Sequence, residues 1–449
     1  MYKRLLSFIL LAGLAATSVV FVSFSKISVG VTNSATELAV KARKAVLICP
    51  GPVYVNGGDS GLKLGKFTQS GTANIQGTDG DNAIAISATG ITTISGTSAE
   101  SKEFNAVQSQ LAVQKLAGGL AAANCLPGFN DAWLVAGDNS VGREALLILV
   151  NPTKVDATVS LEIVGTDGPI QGTGLSGISA PAGKVTILPL AAFAPKAVTF
   201  SVHVSSRGAM LGMWIQQKTI RGLTPGGLDY VGPSASAGKT VEIPGLFIRN
   251  SAKLAKLSAG NKDFLDTKPI LRVLAPGDSE ATFTAQVQGA DGSSFGTVVQ
   301  GTVAAGSVAD FDLGELADGD YIVHIESNQP ILAAANFNRI GSKQPDLAWA
   351  SAVSPTKLDS GFTTVSGAIS KLSVANPTES SGSVSLNGRS FNIPANSNIV
   401  IPLSAGITYQ ITSTIPVAAS QVIDISSQIA VVPVLDFRLV AGRVKVQIR

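Results

Sequence analysis

An internal repeat is the feature that most restricts the fold of this chain. Three segments share one order of elements, namely an alternating apolar stretch, a proline turn and a second alternating stretch. The apolar positions before the turn include Leu147, Leu271 and Leu372, and alternation of period two is typical of a half-buried strand. Each copy of such a repeat forms one supersecondary unit. We therefore expect three copies of one antiparallel β unit in series.

Turn residues occupy matching positions in the three copies. The first turn is Asn-Pro in copies one and three, beginning at Asn151 and Asn376, and Ala-Pro in copy two. Proline cannot donate to a strand ladder and asparagine can bond its own turn backbone, so both suit the end of a strand. A later turn has Gly183, Gly306 and Asn396 at one position. These residue types tolerate a positive φ, so the sequence predicts a tight turn there.

The repeat also accounts for the two histidines of the chain. His203 and His324 fall at the same position of the last aligned strand, where the third copy has Gln410. A catalytic or metal-binding histidine needs particular partners, whereas these residues recur with the scaffold. We interpret both histidines as strand residues with a polar tip. A ligand-contacting role stays open for His203, which has Arg207 nearby.

Short strands separated by Gly, Pro and Asn turns are typical of small antiparallel sandwiches. We expect an all-β protein, with tandem immunoglobulin-like or fibronectin-like β-sandwich domains after an N-terminal membrane helix. The predicted domains are an elaborated first sandwich at 44–222, a second at 238–340 and a shorter third at 355–449. Within the first domain, the stretch 101–118 fits a short helix or a strand equally well.

The first residues of the chain suggest export. Lys3 and Arg4 precede an uncharged and mostly apolar run of 20 residues, from Leu5 to Phe24. That length can cross a bilayer as one helix, and the basic pair favours a cytoplasmic N-terminus. Residues 1–26 therefore predict a signal anchor or a cleaved signal peptide, followed by a linker at 27–43. The expected location is the cell membrane, with a single pass and an extracytoplasmic body, or the outside after signal cleavage.

Export would place the two cysteines, Cys49 and Cys125, in a compartment where paired thiols tend to oxidise. Both cysteines are followed closely by Pro and Gly, which is typical of turn-flanked positions suited to a bridge. The sequence predicts a disulfide between them, with Cα atoms about 4.4 to 6.8 Å apart. Two buried free thiols are the alternative.

Composition argues against several classes of function. Charged residues make up 14% of the chain, aromatic residues 6%, and the formal net charge is +3 without a long basic run. The electrostatic footprint and stacking platforms of a nucleic-acid binder are therefore missing. The sequence has no CxxC, HExxH or P-loop motif, and no GxGxxG after a strand. We expect no nucleic-acid partner, no cofactor, no metal site and no catalytic residues.

Four motifs carry a family resemblance: the CPG strand start at Cys49, CLPGFNDAW ending at Trp133, LVNPTKVDATVSLEIVGTDG and SVHVSSRG. Together they resemble a family of actinobacterial cell-envelope proteins of unknown function, over most of the chain after residue 44. The resemblance implies an N-terminal membrane segment, a β-rich extracytoplasmic region and a setting among envelope glycans. It supplies no catalytic residues.

We therefore expect a noncatalytic, membrane-anchored scaffold or binding module whose partners are cell-envelope proteins or glycans, with residues 5–24 in the membrane. One alternative is glycan binding as the main function. Its candidate ligand surface is a set of aromatic and basic residues: Trp133, His203, Arg207 and Trp214. Another alternative is a hydrolase of envelope polymers that uses paired carboxylates. Its candidate acids are Asp131, Asp138 and Asp229.

Overall fold

The computed structural model describes residues 35–39, 45–57, 63–77, 83–86, 91–96, 104–114, 117–290, 295–341, 344–436 and 443–447. The predicted membrane helix at 1–26 and its apolar run 5–24 lie outside the described residues. The described strands belong to two compact units. In the smaller unit, β1 (Ala35–Ala39) pairs antiparallel with the last strand of the chain, β34 (Arg443–Gln447). The larger unit contains all the strands between them.

Eight short strands begin the larger unit, and they form three antiparallel sheets. They are β2 (Ala45–Ile48), β3 (Tyr54–Gly57), β4 (Lys63–Gln69), β5 (Asn74–Gly77), β6 (Ala83–Ile86), β7 (Thr92–Gly96), β8 (Ala106–Gln114) and β9 (Ala117–Asn124). Their sheet orders are β2-β7-β6, β3-β4 and β5-β8-β9. The stretch 101–118 fits a helix or a strand by sequence, and its described residues include the strand β8 and the start of β9. The buried Gln108 and Gln110 of that strand accept hydrogen bonds from the backbone of Gly51 and Val53.

The first repeat follows at residues 131–231. Its strands are β10 (Asp131–Leu134), β11 (Arg143–Asn151), β12 (Ala157–Gly165), β13 (Gly168–Pro169), β14 (Ile178–Ala180), β15 (Lys184–Pro189), β16 (Phe200–Arg207), β17 (Gly212–Arg221) and β18 (Thr224–Val231). They form the sheets β10-β16-β12-β13, with β14 also beside β12, and β15-β11-β17-β18. A short 3-10 turn, Leu190–Ala192, follows β15.

The second repeat spans residues 238–351. Its elements are β19 (Gly238–Ile248), α1 (Ser251–Gly260), β20 (Ile270–Ala275), β21 (Ala281–Gly289), β22 (Phe295–Val303), β23 (Ser307–Asp312), β24 (Gly319–Ile340) and β25 (Pro345–Ser351). A 3-10 turn, Lys262–Phe264, follows α1, which is the only α-helix in the described part of the chain. The 22-residue β24 passes through both sheets, because its first half pairs with β19 and β21 and its second half with β20 and β25.

The third repeat spans residues 359–433 and has the strands β26 (Asp359–Thr363), β27 (Ile369–Asn376), β28 (Gly382–Leu386), β29 (Arg389–Ile393), β30 (Ser397–Leu403), β31 (Thr408–Ser413), β32 (Ala418–Ile425) and β33 (Gln428–Pro433). They form the sheets β26-β31-β28-β29 and β30-β27-β32-β33. The prediction of an all-β protein is confirmed, since strands make up nearly all regular structure in the described residues.

The three repeats share one strand order. Numbered from the first strand of each repeat, one sheet runs first, sixth, third, fourth, and the other runs fifth, second, seventh, eighth. In the second repeat β24 supplies both the sixth and the seventh strands, and in the first repeat β13 and β14 share the fourth place. In each repeat the two sheets contribute side chains to a shared apolar core.

The predicted turn chemistry is confirmed. The side chain of Asn151 accepts from the backbone N–H of Thr153 at 3.0 Å and donates to the carbonyl of Val155 at 2.9 Å. Asn376 makes the same pair of bonds in the third repeat, to Thr378 and Ser380 at 2.9 Å each. The shared later turn has a positive φ in every copy: 65° at Gly183, 62° at Gly306 and 46° at Asn396.

Strand β11 is buried on both faces rather than on one. Leu147 and Leu149 point into the core of the first repeat, as their alternation predicts. Leu146 and Ile148 point the other way, into a second core that contains Val53 from the N-terminal strands. The predicted half-buried strand is therefore fully covered, because the N-terminal region packs on the outer face of its sheet.

Four strands from distant parts of the chain meet at one buried carboxylate. Strands β9, β18, β25 and β33 pack around each other, β9 against β18 and β33, and β25 against the same two. Asp346 on β25 is fully buried and accepts backbone N–H groups from one residue of each strand: Leu120 at 3.0 Å, Leu228 at 3.1 Å, Leu347 at 3.0 Å and Ile429 at 2.9 Å. We call these four strands with Asp346 the four-strand junction. It joins the N-terminal strands to all three repeats.

Glycine makes the close approach at the junction feasible. Gly119 on β9 has φ +143°, and a Cβ there would overlap the Asp346 carboxylate and lie 2.5 Å from the backbone nitrogen of Leu228. Gly227 on β18 has φ +138°, and its Cβ would lie 2.6 Å from the backbone nitrogen of Leu347. Side chains larger than hydrogen rarely adopt such φ values. The junction therefore depends on glycine at both positions.

Candidate functional site

The predicted disulfide is confirmed: Cys49 and Cys125 are bonded, with their Cα atoms 4.2 Å apart. Next to them, Ile48 and Leu126 exchange two backbone hydrogen bonds of 2.7 and 2.8 Å. The cysteines therefore face each other as a non-hydrogen-bonded antiparallel pair, whose Cα separation is about 4.5 Å. This pairing explains why the separation is slightly below the expected range. The bridge ties the start of the larger unit to the end of β9.

Two of the four candidate ligand residues lie side by side on the surface of the first repeat. Trp133 on β10 is the cross-strand partner of His203 on β16, and their rings stack at 4.6 Å with an interplanar angle of 13°. The His203 Nε2 atom lies 3.1 Å from both carboxylate oxygens of Asp131, and Nδ1 lies 3.5 Å from Glu162. The half-buried Trp133 and its polar neighbours form a small aromatic and charged patch.

The other two candidate residues are placed differently. Arg207 is exposed at the end of β16, on the same strand as His203. Trp214 on β17 is fully buried in the core that the first repeat shares with the N-terminal strands. The structure therefore brings Trp133, His203 and Arg207 to one sheet and places the Trp214 ring away from solvent.

The second histidine repeats part of this arrangement. His324 on β24 is hydrogen-bonded through Nδ1 to Glu242, which lies on the first strand of its repeat. His203 is likewise hydrogen-bonded to an acid on the first strand of its repeat, through Nε2 to Asp131 on β10. The hydrogen bond to Glu242 raises the pKa of His324, and burial raises the pKa of Glu242. Both histidines are strand residues, as interpreted from the sequence.

Among the described residues, no three His, Cys, Asp or Glu side chains converge as a metal site would require.

A cavity of about 290 Å³ lies in the seam between the first and second repeats. Strand β17 contributes Gln217, Thr219 and Arg221 to its wall, and β24 contributes Asn336 and Asn338. Its other charged lining residues are Asp138, Arg143, Asp266, Lys268, Arg272, Asp310 and Asp312. The wall thus has four basic and four acidic side chains, and Trp349 and Leu347 also line it. Pockets at domain interfaces with convergent polar groups are the usual places for ligands.

Arg272 holds one side of the cavity rigid. Its guanidinium makes a bidentate ion pair with Asp310, through Nε and Nη2 at 2.7 Å each. The Nη1 atom donates to the carbonyls of Gly137 at 2.6 Å and Phe200 at 2.8 Å. The group also lies 4.9 Å above the Trp349 ring. Every donor of this buried arginine is in use, so Arg272 is a structural element of the seam.

Arg221 and Arg143 share one carboxylate on the other side. Both donate to Asp266, which lies in the turn after α1. The burial of Asp266 raises its pKa, but the hydrogen bonds and charges of the two arginines outweigh this effect and the pKa is lowered. Arg221 also donates to the Asp263 carbonyl at 2.6 Å and to Asn338 at 3.1 Å. Its Nε atom is buried, and no residue in the described part of the chain accepts from it.

The three carboxylates proposed for hydrolysis lie at three different places. Asp131 faces His203 on the surface, and Asp138 lines the cavity, where burial raises its pKa. Asp229 is fully buried near the four-strand junction and accepts from the backbone of Tyr230 at 2.8 Å and Trp349 at 2.7 Å. The structure does not bring these three acids together.

Comparison with known families assigns the chain. The model of a family of unknown function (DUF5719) matches residues 79–392. This chain belongs to that family. The match begins among the N-terminal strands and ends in the third repeat, so it includes every residue of the cavity wall.

Two other comparisons add little. The crystal structure of Thermotoga maritima 1070 matches with 18% identity, covering 26% of this chain and 93% of its own, at a TM-score of 0.21. A similarity at that score carries no argument about fold or function. A search of curated proteins finds no match. None of the helices in the described ranges has the length and apolarity that crossing a membrane requires.

Sequence reasoning missed the residues that organise the seam and the junction. Arg272 stands in PILRVLAP and Asp346 in PDLAWAS, each an isolated charge within an apolar strand. A charge buried in such a strand needs a dedicated partner, because burying an unpaired charge is costly. Isolated charges in the apolar strands were therefore the available signal for both sites.

Proposed function

We propose that the protein is a noncatalytic extracytoplasmic component of the cell envelope that acts as a scaffold or binding module. The four-strand junction is the observation that carries this proposal. Domains joined only by linkers are expected to move relative to one another. Here the three repeats and the N-terminal strands share one buried carboxylate, so binding surfaces on different repeats keep fixed relative positions. Fixed positions are what a scaffold needs.

The location is part of the proposal. Disulfides persist outside the cytosol, and the Cys49–Cys125 bridge supports an extracytoplasmic body. The apolar run at 5–24 would anchor that body in the membrane, or would be removed as a signal peptide. The resemblance to actinobacterial envelope proteins supports the same location. Mass spectrometry of the mature N-terminus, from membrane and culture fractions, separates the anchored form from the cleaved form.

We further propose that each repeat is an immunoglobulin-like sandwich. In that fold the second strand pairs with the fifth and the third with the sixth. The same pairs occur here, for example β11 with β15 and β12 with β16. The repeats depart from the fold at three strands: the first pairs with the sixth, the fourth pairs with the third and the seventh pairs with the second. The first and seventh strands thus occupy exchanged sheets.

Proximity labelling on the outer face of the membrane tests the scaffold role. A peroxidase fused to the full chain should label a small and reproducible set of envelope proteins. The variant Gly119→Val, which loosens the junction, should lose part of that set at equal abundance. The matched control Gly277→Ala has open space around its Cβ and should retain the set. Labelling of cytoplasmic proteins, or no reproducible neighbour, would contradict the proposal.

Glycan binding remains a second candidate because of the Trp133 and His203 patch. A half-buried indole beside Asp131 and Glu162 resembles the mixed aromatic and carboxylate surfaces that hold sugars. If glycan binding is the main function, Trp133→Ala should abolish binding on a glycan array without loss of fold. Phe391→Ala, at a partly buried ring of the third repeat, is the control and should bind normally.

A further inference from the structure

Three large aliphatic side chains protrude from turns of the first and second repeats. They are Val141, Leu223 and Leu265, which are 89%, 90% and 67% exposed. The first lies in the turn before β11, the second in the turn between β17 and β18, and the third just after the 3-10 turn that follows α1. We call these three residues the aliphatic tips. Scattered exposed aliphatic residues are common, whereas a group of them marks an interaction surface.

Hydrogen bonds join the three turns to one another at the end of β17. The backbone N–H of Ile220 donates to the Gly142 carbonyl at 2.7 Å, which joins the turn before β11 to this strand end. Arg221 donates to the Asp263 carbonyl at 2.6 Å and forms an ion pair with Asp266, which joins the segment after α1 to it. The turn of the remaining tip follows β17 directly. The aliphatic tips therefore form one group.

The turn between β17 and β18 does not need leucine. Arg221 pairs with Thr224, so Gly222 and Leu223 form a two-residue hairpin turn. Gly222 has φ +60°, and glycine is typical of such a position. The residue after that glycine is usually Asn, Asp or Ser, whereas here it is a leucine with its side chain in solvent. Neither the turn nor the core accounts for Leu223, and a contact with another surface would.

Lysines lie beside the aliphatic tips. Helix α1, which packs against the 3-10 turn, contains Lys253 and Lys256, and Lys262 begins the turn itself. All three lysines are exposed, and none forms an ion pair with any residue in the described ranges. Asp318 lies at the start of the helix, at the end away from the turn.

Nearby acids do not cancel this positive charge. The segment 251–268 contains four lysines and two aspartates. One of the aspartates, Asp266, is shared by two arginines, and the fourth lysine, Lys268, is paired with Asp312 at 3.5 Å. Asp263 is therefore the one acid of the segment left to offset the three exposed lysines. The surface beside the aliphatic tips keeps an excess of positive charge.

We propose that the aliphatic tips enter the surface of a phospholipid bilayer, with Lys256 and Lys262 contacting anionic headgroups. Contacts at a membrane interface combine buried apolar side chains with lysine. Protein interfaces instead favour aromatic and arginine anchors and are depleted in lysine. The aromatic residue of this region, Phe264, is half-buried with the Arg221 guanidinium 5.0 Å from its ring centroid. Three separate tips also need no partner of matching shape. The inference rests on the proposed membrane location and adds a second contact with the membrane.

The test attaches a nitrobenzoxadiazole fluorophore to the full chain at Leu223→Cys or Val141→Cys. The native cysteines are bonded to each other, so the introduced thiol is the only free one. The chain is reconstituted in vesicles of phosphatidylcholine and phosphatidylglycerol, with or without a lipid that carries a nitroxide on its acyl chain. Emission should shift to shorter wavelength at both positions, and the nitroxide lipid should quench it. The two positions keep the test intact where one variant fails to fold.

Val155→Cys is the matched control for the label. Val155 is an aliphatic residue, 56% exposed, in the turn at the other end of β11 from Val141. A fluorophore there should keep the emission of an aqueous site and should not be quenched.

The combined variant Lys256→Glu and Lys262→Glu tests the charge. It should remove most of the quenching at Leu223→Cys, because each lysine near an anionic membrane contributes to binding. The combination of Lys154→Glu and Lys184→Glu is its control. Both of these lysines are exposed at the other end of β11, so quenching should stay unchanged.

No quenching at either tip, or equal quenching at Val155→Cys, would overturn the proposal. A shift in emission without quenching would also contradict it, because protein would then cover the tips, either a partner or a second copy of the chain. Quenching that survives the exchange of Lys256 and Lys262 for glutamate would rule out the contact with anionic headgroups. Proximity labelling does not depend on these variants, so this proposal and the scaffold role can fail separately.

Discussion

The four-strand junction and the seam cavity both bury ionisable side chains where repeats meet, but they satisfy the hydrogen bonds of those side chains differently. At the junction, the oxygens of Asp346 accept four backbone N–H groups at 2.9 to 3.1 Å. In the seam, Arg272, Arg221 and Arg143 form ion pairs with the side chains of Asp310 and Asp266, and they also donate to backbone carbonyls. Backbone donors are fixed by strand pairing, whereas side chains can exchange partners. The ionisable group at the junction is thus fully enclosed by backbone, whereas those of the seam line an open cavity.

The largest effect is expected from Gly119→Val at the junction. The new side chain would overlap Asp346 and the β18 backbone, and valine is strained at φ +143°. We expect a loss of roughly 4 kcal/mol or more in the free energy of unfolding, in the range of severe core changes. Urea denaturation measures this loss.

Gly277→Ala is the control for that experiment, since nothing lies within 4 Å of its Cβ. Its free energy of unfolding should stay within about 0.5 kcal/mol of wild type. A Gly119→Val variant as stable as this control would show that the strands of the junction can separate without cost.

Two single-residue substitutions compare the stability contributed by the junction with that contributed by the seam. Asp346→Ala leaves four buried N–H groups without an acceptor and should cost roughly 3 to 5 kcal/mol. Arg272→Met keeps the apolar volume and leaves Asp310, whose side chain is 19% exposed and can regain water. We expect a cost of roughly 1 to 3 kcal/mol for that change, measured by the same denaturation. A larger cost at Arg272 than at Asp346 would reverse the comparison.

Local features were predictable from sequence, whereas the junction was not. The turns at Asn151 and Gly183 follow from side chains that act on their own backbone, so a short segment is enough to identify them. Asp346 binds Leu120 and Ile429, 226 and 83 residues away, and no local pattern encodes such partners. The ambiguity at 101–118 has the same origin, because β8 is fixed by its pairing with β5 and β9.

The candidate site was predicted only in part. Trp133 and His203 were proposed as ligand residues and do lie together, because they are cross-strand neighbours. Trp214 belongs to the same residue class, yet it faces the core that the N-terminal strands cover. The cavity was not foreseen, since its wall combines residues from two repeats and depends on how those repeats pack.

The disulfide provides a smaller perturbation close to the junction. The Cys49–Cys125 bridge closes a loop with a sequence separation of 76 and lies at the end of β9. Its reduction should cost roughly 2 to 4 kcal/mol on the chain-entropy account. Hydrogen exchange should rise in residues 45–57 and 104–126 and stay unchanged in the third repeat. Alkylation of both thiols in unreduced, natively purified protein would contradict the bridge itself.

Asp346 should also make the stability of the fold depend on pH. Burial raises the pKa of Asp346 to about 8 from an ordinary value of 3.8, although the backbone N–H donors act in the opposite direction. Between these values the folded chain holds a proton that the unfolded chain has released. The free energy of unfolding should therefore fall as the pH rises from about 4 to about 8.

Denaturation of wild type and Asp346→Asn at about pH 5 and about pH 8 checks this dependence. The variant should show a shallower decrease, because the titrating group is gone. Some decrease should remain, since burial also raises the pKa of Asp229. An identical slope in both proteins would show that Asp346 keeps its charge throughout that range.

Native-state hydrogen exchange in increasing denaturant tests most directly whether the junction joins the repeats into one body. The N–H groups of Leu120, Leu228 and Ile429 lie in the N-terminal strands, the first repeat and the third repeat, and all bind Asp346. The account predicts that these three groups exchange through one common opening with the same free energy. Three different opening free energies, one for each region, would contradict it.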